Sequence, residues 1–89
     1  MALHIIKSGQ VTAVQQVKRI YQEGDQILLI EDGCYLYTLA KQSFDTVCAL
    51  TDHMKMRGLS SKAAQQGIEQ ISFKEWALLT RNHQQSTTW

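Results

Sequence analysis

The chain is short, nearly neutral and moderately hydrophobic. Its 89 residues carry a net charge of +1, and 44% of them are hydrophobic. That hydrophobic share excludes a disordered chain, and the length allows one domain near the lower limit for a single core. The small net charge argues against direct nucleic-acid binding, because strong phosphate binders gather a basic excess on one face. A domain this small often gains stability by association, so an oligomer is expected.

The first residues predict a cytoplasmic protein. Residues 1–7 lack the basic start, apolar stretch and cleavage site of a secretory signal. No apolar run approaches the roughly 20 residues that a membrane span needs, so we expect no membrane contact. Two cysteines, Cys34 and Cys48, are too few for a disulfide framework, and we expect them to be thiols.

The first half of the chain alternates short apolar runs with a segment of helical spacing. Residues 3–6 predict a first strand. Thr12 and Gln15 then predict a capping box at the start of a helix. Residues 27–30 are apolar throughout, as in a strand that is buried between helices.

The second half continues the alternation. Residues 34–40 fit either a short helix or a strand. Residues 46–50 and 68–71 predict a third and a fourth strand. Ser72 with Glu75 predicts a second capping box, which opens the last helix.

This alternation predicts the α/β class, as a single three-layer domain with about four mostly parallel strands and helices on both faces. The domain is expected to span residues 1–83, and residues 84–89 are expected to form a polar tail that ends in Trp89. Ligands and partners of such sheets usually meet the loops at the carboxyl ends of the strands. Those loops are residues 7–9, 31–34 and 51–53.

The two cysteines are candidates for sulfur chemistry, each with a structural alternative. Cys34 follows a glycine turn, and a helix that began there would stabilise its thiolate, whereas Glu31 and Asp32 would oppose ionisation. Its alternative is a small buried hydrophobe. Cys48 lies in the middle of a predicted strand, which favours a buried structural thiol.

The histidines do not indicate a metal site. His4, His53 and His83 show no ligand spacing, and each is expected at the surface or at a helix end. Ser8 ahead of the first helix indicates at most a weak anion site on backbone amides. No cofactor or metal is therefore expected.

Three aromatic residues are candidates for a protein interface. Trp89 ends a polar tail, so its large side chain either anchors a partner or packs onto its own domain. The same two alternatives hold for Tyr35 and Tyr37 near the predicted strand edge.

Four blocks of the sequence carry a resemblance to a known family. Residues 3–8, residues 24–33, residues 47–59 and the final Trp89 resemble the TusB/DsrH family, in order and over nearly the whole chain. The resemblance implies a DsrE/DsrF/DsrH-type α/β fold and a place in a heteromeric complex. It implies assembly with TusC-like and TusD-like paralogues into a heterohexamer.

The resemblance also implies a role in sulfur relay. Such a complex passes persulfide sulfur from a TusA-like donor towards a TusE-like acceptor, and finally to the 2-thio group of the tRNA wobble uridine. The sulfur-carrying cysteine of the family belongs to the TusD/DsrE-like paralogue, so this chain is expected to be a non-catalytic subunit. Chains of the DsrH type from sulfur oxidisers carry a cysteine at a position that matches about Val17. This chain has no cysteine there, which favours the TusB-like interpretation. The alternatives are a persulfide on Cys34 or Cys48, and a DsrH-like subunit in sulfur oxidation.

Overall fold

Five short segments pair side by side into one parallel sheet. In the computed structural model, which describes residues 1–89, the strands are β1 Ala2–Ile6, β2 Gln26–Leu29, β3 Val47–Leu50, β4 Glu69–Ile71 and β5 Gln85–Thr88. Their order across the sheet is β4-β3-β2-β1-β5, and every neighbouring pair is parallel. The predicted α/β class is confirmed, with one strand more than the four expected.

Helices connect the strands. They are α1 Val11–Ile20, a 3₁₀ helix Glu31–Leu36, α2 Tyr37–Ser43, α3 Thr51–Met56, α4 Ser60–Gln65 and α5 Phe73–Asn82. Residues 34–40, which fitted either a helix or a strand, are therefore helical. The longest helices have ten residues, and none is long and apolar enough to cross a membrane.

One of the two predicted capping boxes is present. Ser72 Oγ accepts a hydrogen bond from the Glu75 amide at 3.1 Å, and the Glu75 carboxylate accepts one from the Ser72 amide at 3.0 Å. The box predicted at Thr12 is wrong, because α1 begins at Val11 and Thr12 lies inside its first turn. Ser8 Oγ accepts a hydrogen bond from the Gln10 amide just before α1.

The strand order explains why the helices divide unequally between the two faces. Strands β1 to β4 follow one another across the sheet, and then β5 returns beside β1. Because crossovers between parallel strands are right-handed, the connection that reverses direction must cross the opposite face. That connection is α5. Helices α1 to α4 contribute to a main core of 14 buried residues, whereas α5 alone covers a second cluster of seven: Leu3, Ile5, Leu28, Ile30, Cys48, Leu50 and Ile71.

The polar tail is part of the sheet. Residues 85–88 form β5, which pairs with β1 in the register Leu3 to Ser86, and the Trp89 amide donates to the Ile5 carbonyl at 2.7 Å. All four residues of β5 are exposed. Because the side chains of this edge strand face water, burial does not favour apolar residues there, and its sequence is polar.

Candidate functional site

The turn after β2 presses closely against β1. The Gly33 amide donates to the carbonyls of Lys7 and Ile30, at 3.0 and 2.9 Å. A Cβ on Gly33 would lie 1.9 Å from the Ile6 carbonyl oxygen, so only glycine fits this position. Glu31, two residues before Gly33, has a φ of 47°, a left-handed conformation that costs free energy for a residue with a side chain.

Side chains from α3 and from Arg57, which follows it, hold this turn in place. His53 Nδ1 accepts a hydrogen bond from the Glu31 amide at 2.8 Å. Arg57 Nη2 donates to Asp32 Oδ1 at 3.1 Å, and its guanidinium lies 5.9 Å from the centre of the Tyr35 ring. The structure thus brings residues 31–34 and 51–53 together at the carboxyl edge of the sheet, as expected, although both segments were predicted as loops and are the first turns of helices.

Cys34 lies beneath this edge as a buried thiol. Its side chain is fully buried, and its Sγ donates to the Leu29 carbonyl at 3.7 Å. Burial raises the pKa of the Cys34 thiol to about 11, and the opposing effect of Arg57 is too small to reverse this. Cys34 lies inside the 3₁₀ helix rather than at the start of an α-helix. The setting that would stabilise a thiolate is therefore not formed.

Cys48 is also buried, within β3. Its Sγ donates to the Ile27 carbonyl at 3.4 Å and accepts from Gln26 Nε2 at 3.6 Å. Burial raises the pKa of the Cys48 thiol to about 12, and the hydrogen bond from Gln26 lowers it only in part. Neither cysteine has the exposure or the ionised form that a nucleophilic sulfur carrier needs.

The three candidate interface aromatics lie in different settings. Tyr35 is 56% exposed, whereas Tyr37 and Trp89 are partly buried and pack against the main core. The Trp89 carbonyl accepts hydrogen bonds from the amides of Lys7 and Ser8, at 2.9 and 3.1 Å. The Ser8 amide is therefore already occupied, which removes one donor from the weak anion site considered there. Of the three aromatics, Tyr35 has the most free surface.

Two exposed apolar side chains on α5 extend the candidate surface. Phe73 and Leu78 are 51% and 49% exposed. The Phe73 ring centre lies 5.8 Å from that of His53, so α5 adjoins the loops of the carboxyl edge. Sequence reasoning did not single these residues out. A usable signal was present, because α5 carries more large apolar residues than one buried face can hold.

The sequence also did not predict a buried hydrogen bond between a histidine and an aspartate at the opposite, amino edge of the sheet. His4 is 4% exposed, although it was expected at the surface, and its Nε2 lies 3.0 Å from Asp25 Oδ2. The Asp25 carboxylate also accepts from the amides of Ala2 and Gln22, at 2.8 and 3.0 Å. Burial alone would raise the pKa of Asp25, but these hydrogen bonds outweigh it and lower the pKa to about 2. A cavity of about 340 Å³ adjoins the pair.

The remaining polar groups do not form a metal centre. No group of three or more His, Cys, Asp or Glu side chains is arranged to hold a metal ion. His83 Nδ1 lies 2.8 Å from the Leu79 carbonyl, in the last turn of α5 where it was expected. The site thus consists of two buried thiols, a strained turn and a partly apolar outer surface.

Comparison with known proteins identifies the family. The model of the family described as "DsrH like protein" matches residues 7–86. No curated protein matches the chain. The family match covers β2 to β4, the first half of β5 and all five α-helices, and it contains the sequence blocks 24–33 and 47–59 that carried the resemblance. The chain therefore belongs to the DsrH-like family of sulfur-relay proteins.

Proposed function

We propose that the chain is a non-catalytic, TusB-like subunit of a heteromeric sulfurtransferase complex that supports 2-thiolation of the tRNA wobble uridine. The observation that carries the proposal is the burial of both thiols in a member of a sulfur-relay family. With pKa values raised by burial to about 11 and about 12, Cys34 and Cys48 are protonated near neutral pH. The sulfur-carrying thiol then belongs to a partner, which we take to be a TusD-like paralogue.

The exposed side chains support a role in assembly. Tyr35, Phe73 and Leu78 are about half exposed, and tyrosine and other large side chains are typical of protein interfaces. The partners of this proposal are TusC-like and TusD-like paralogues in a heterohexamer. A TusA-like donor and a TusE-like acceptor take part indirectly, in the cytoplasm.

Position 17 favours tRNA thiolation over sulfur oxidation. Val17 is fully buried and packs in the main core, on the inner side of α1. It offers no thiol at the position where chains of the DsrH type from sulfur oxidisers carry a cysteine. A DsrH-like role in oxidation would therefore have to proceed without that thiol.

Co-purification tests the proposal. The chain would be co-expressed with TusC-like and TusD-like paralogues from one genome, with an affinity tag on the TusD-like chain only. We expect all three chains to elute together, with the native mass of a heterohexamer. A chain that remains a monomer or a homo-oligomer beside both paralogues would contradict the proposal.

A further inference from the structure

We propose that the α5 side of the sheet docks a paralogous subunit, and that a Lys or Arg side chain of that subunit enters a groove beside α5. The identity of the partner rests on the proposed function. The location and chemistry of the contact rest on the groove itself, which we call the α5 groove. It is lined by residues of α5, β4 and the start of β2.

Nothing in the chain covers the outer surface of α5. Helix α5 has no buried residue, whereas α1, of equal length, buries three. Only Trp76 and Leu79 pack against the apolar cluster on this side, and both are partly buried. The seven residues of that cluster are themselves buried, so the free apolar surface on this side belongs to α5, where Phe73 and Leu78 are about half exposed. A subunit that packs on α5 would cover these two side chains.

The groove has the shape for a long side chain with an aliphatic stem. Its volume is about 200 Å³, and Ile71, Leu78 and Leu79 form its apolar walls. Lys and Arg bury their methylene stems on such surfaces while their charged ends remain near water or an acid. The groove lies along β4, an edge strand whose outer side has no neighbour, so an approaching chain can reach it.

The groove carries negative charge, which favours a positively charged side chain as its occupant. Glu69 and Glu75 both line it, and neither forms a salt bridge within the chain. Glu75 Oε1 accepts a hydrogen bond from the Ser72 amide, which leaves the negative charge without a positive partner. Both carboxylates act on the same buried thiol, since each raises the pKa of Cys48. Both carboxylates therefore place negative charge on the same side of the sheet.

The cations of α5 itself do not neutralise these acids. At about 100° of rotation for each residue, Lys74 lies about 100° around the helix from Glu75, and Arg81 lies about 120° from it. Neither side chain lines the groove. A positive group from another chain is thus the complementary occupant, and a carboxylate there would be repelled.

Charge substitutions in the groove test the inference within the assembled complex. Glu69→Lys reverses one charge, and the double variant Glu69→Gln/Glu75→Gln removes both, while glutamine at position 75 keeps a capping-box side chain. Asp45→Lys is the matched control, because Asp45 is exposed and acts on Tyr21, which packs against the main core on the other face. Thermal unfolding followed by circular dichroism would verify that each variant is folded.

The readout is the dissociation constant for the TusC-like and TusD-like paralogues, measured by calorimetry at low and high salt. We expect the double Gln variant to bind about tenfold more weakly and Glu69→Lys more weakly still, with a reduced salt dependence for the Gln variant. Asp45→Lys should bind within about twofold of the wild type. Wild-type affinity for Glu69→Lys would overturn this inference while the proposed function stands. Absence of any complex with the wild-type chain would overturn the proposed function, and this inference with it.

Discussion

Replacement of Asp25 by asparagine should destabilise the fold, because Asp25 ties three parts of the amino edge together. Its carboxylate accepts hydrogen bonds from the Ala2 and Gln22 amides and pairs with buried His4. The drop in its pKa from 3.8 to about 2 corresponds to about 2 kcal/mol of stabilisation, since one pKa unit is about 1.4 kcal/mol. An asparagine also presents an NH₂ group to donors that need an acceptor. We therefore expect Asp25→Asn to lower the free energy of unfolding by about 3 kcal/mol.

Urea unfolding at pH 8, followed by circular dichroism, would measure this loss. Asp45→Asn is the matched control, because Asp45 is exposed and accepts no side-chain hydrogen bond; it should change the free energy of unfolding by less than about 0.5 kcal/mol. An Asp25→Asn variant as stable as this control would refute the reasoning.

The same argument fixes the sign of the pH dependence. Because the pKa of Asp25 is lower in the folded chain, its stabilisation is fully present above about pH 4 and is lost as the pH falls towards about 2. Titration of the Asp25 side-chain carbon by nuclear magnetic resonance should give a midpoint near 2. A midpoint near 3.8 would show that the hydrogen bonds do not favour the ionised form.

Three further outcomes follow from the geometry. Gly33→Ala should lower the free energy of unfolding by about 3 kcal/mol or more, because the alanine Cβ would lie 1.9 Å from the Ile6 carbonyl oxygen. Urea titrations measure this loss, and a value below about 1 kcal/mol would contradict the close approach of the two segments. Ser72→Ala should lower the free energy of unfolding by about 1 kcal/mol, because the capping box is lost. The control Ser86→Ala, at an exposed position, should change it hardly at all, and equal losses for the two variants would contradict a stabilising cap. Cys34 and Cys48 should resist an aromatic disulfide reagent at pH 8 and react once urea unfolds the chain, and rapid labelling of the native protein would contradict their burial.

The apolar strands could be predicted from sequence because burial on both faces leaves a continuous apolar run. Residues 27–30 are such a run, and β2 lies between β1 and β3 in the sheet. No apolar run marks β5, because an edge strand that is exposed along its length has polar side chains. Its position is determined by backbone hydrogen bonds to β1, which composition does not reveal.

Side-chain partners were predicted where they are local and missed where they are distant. The two partners of the Ser72 capping box are three positions apart, so the pattern is visible in the sequence. His4 and Asp25 are 21 residues apart and meet only because β1 and β2 pair in parallel. The predicted box at Thr12 failed because the helix begins two residues earlier than that box requires, with Gln10 rather than Thr12 at the N-cap.

The groove beside α5 was missed for a related reason. Glu69, Glu75 and Leu78 come from two elements that a sequence pattern treats separately. Their proximity depends on the crossing of α5 over β4, which follows from the reversal of strand order at β5. Because residues 84–89 were predicted to form a tail and not a strand, the reversal of strand order could not be inferred from the sequence.

Sulfur transfer by a complex without cysteines in this chain tests the central claim most directly. The double variant Cys34→Ala/Cys48→Ala would be assembled with TusC-like and TusD-like paralogues, and transfer of labelled persulfide sulfur from a TusA-like donor to a TusE-like acceptor would be followed over time. If this chain is a non-catalytic subunit, the complex forms and the rate stays within about twofold of the wild type. A complex that forms normally but loses transfer would show that one of these two thiols carries the sulfur.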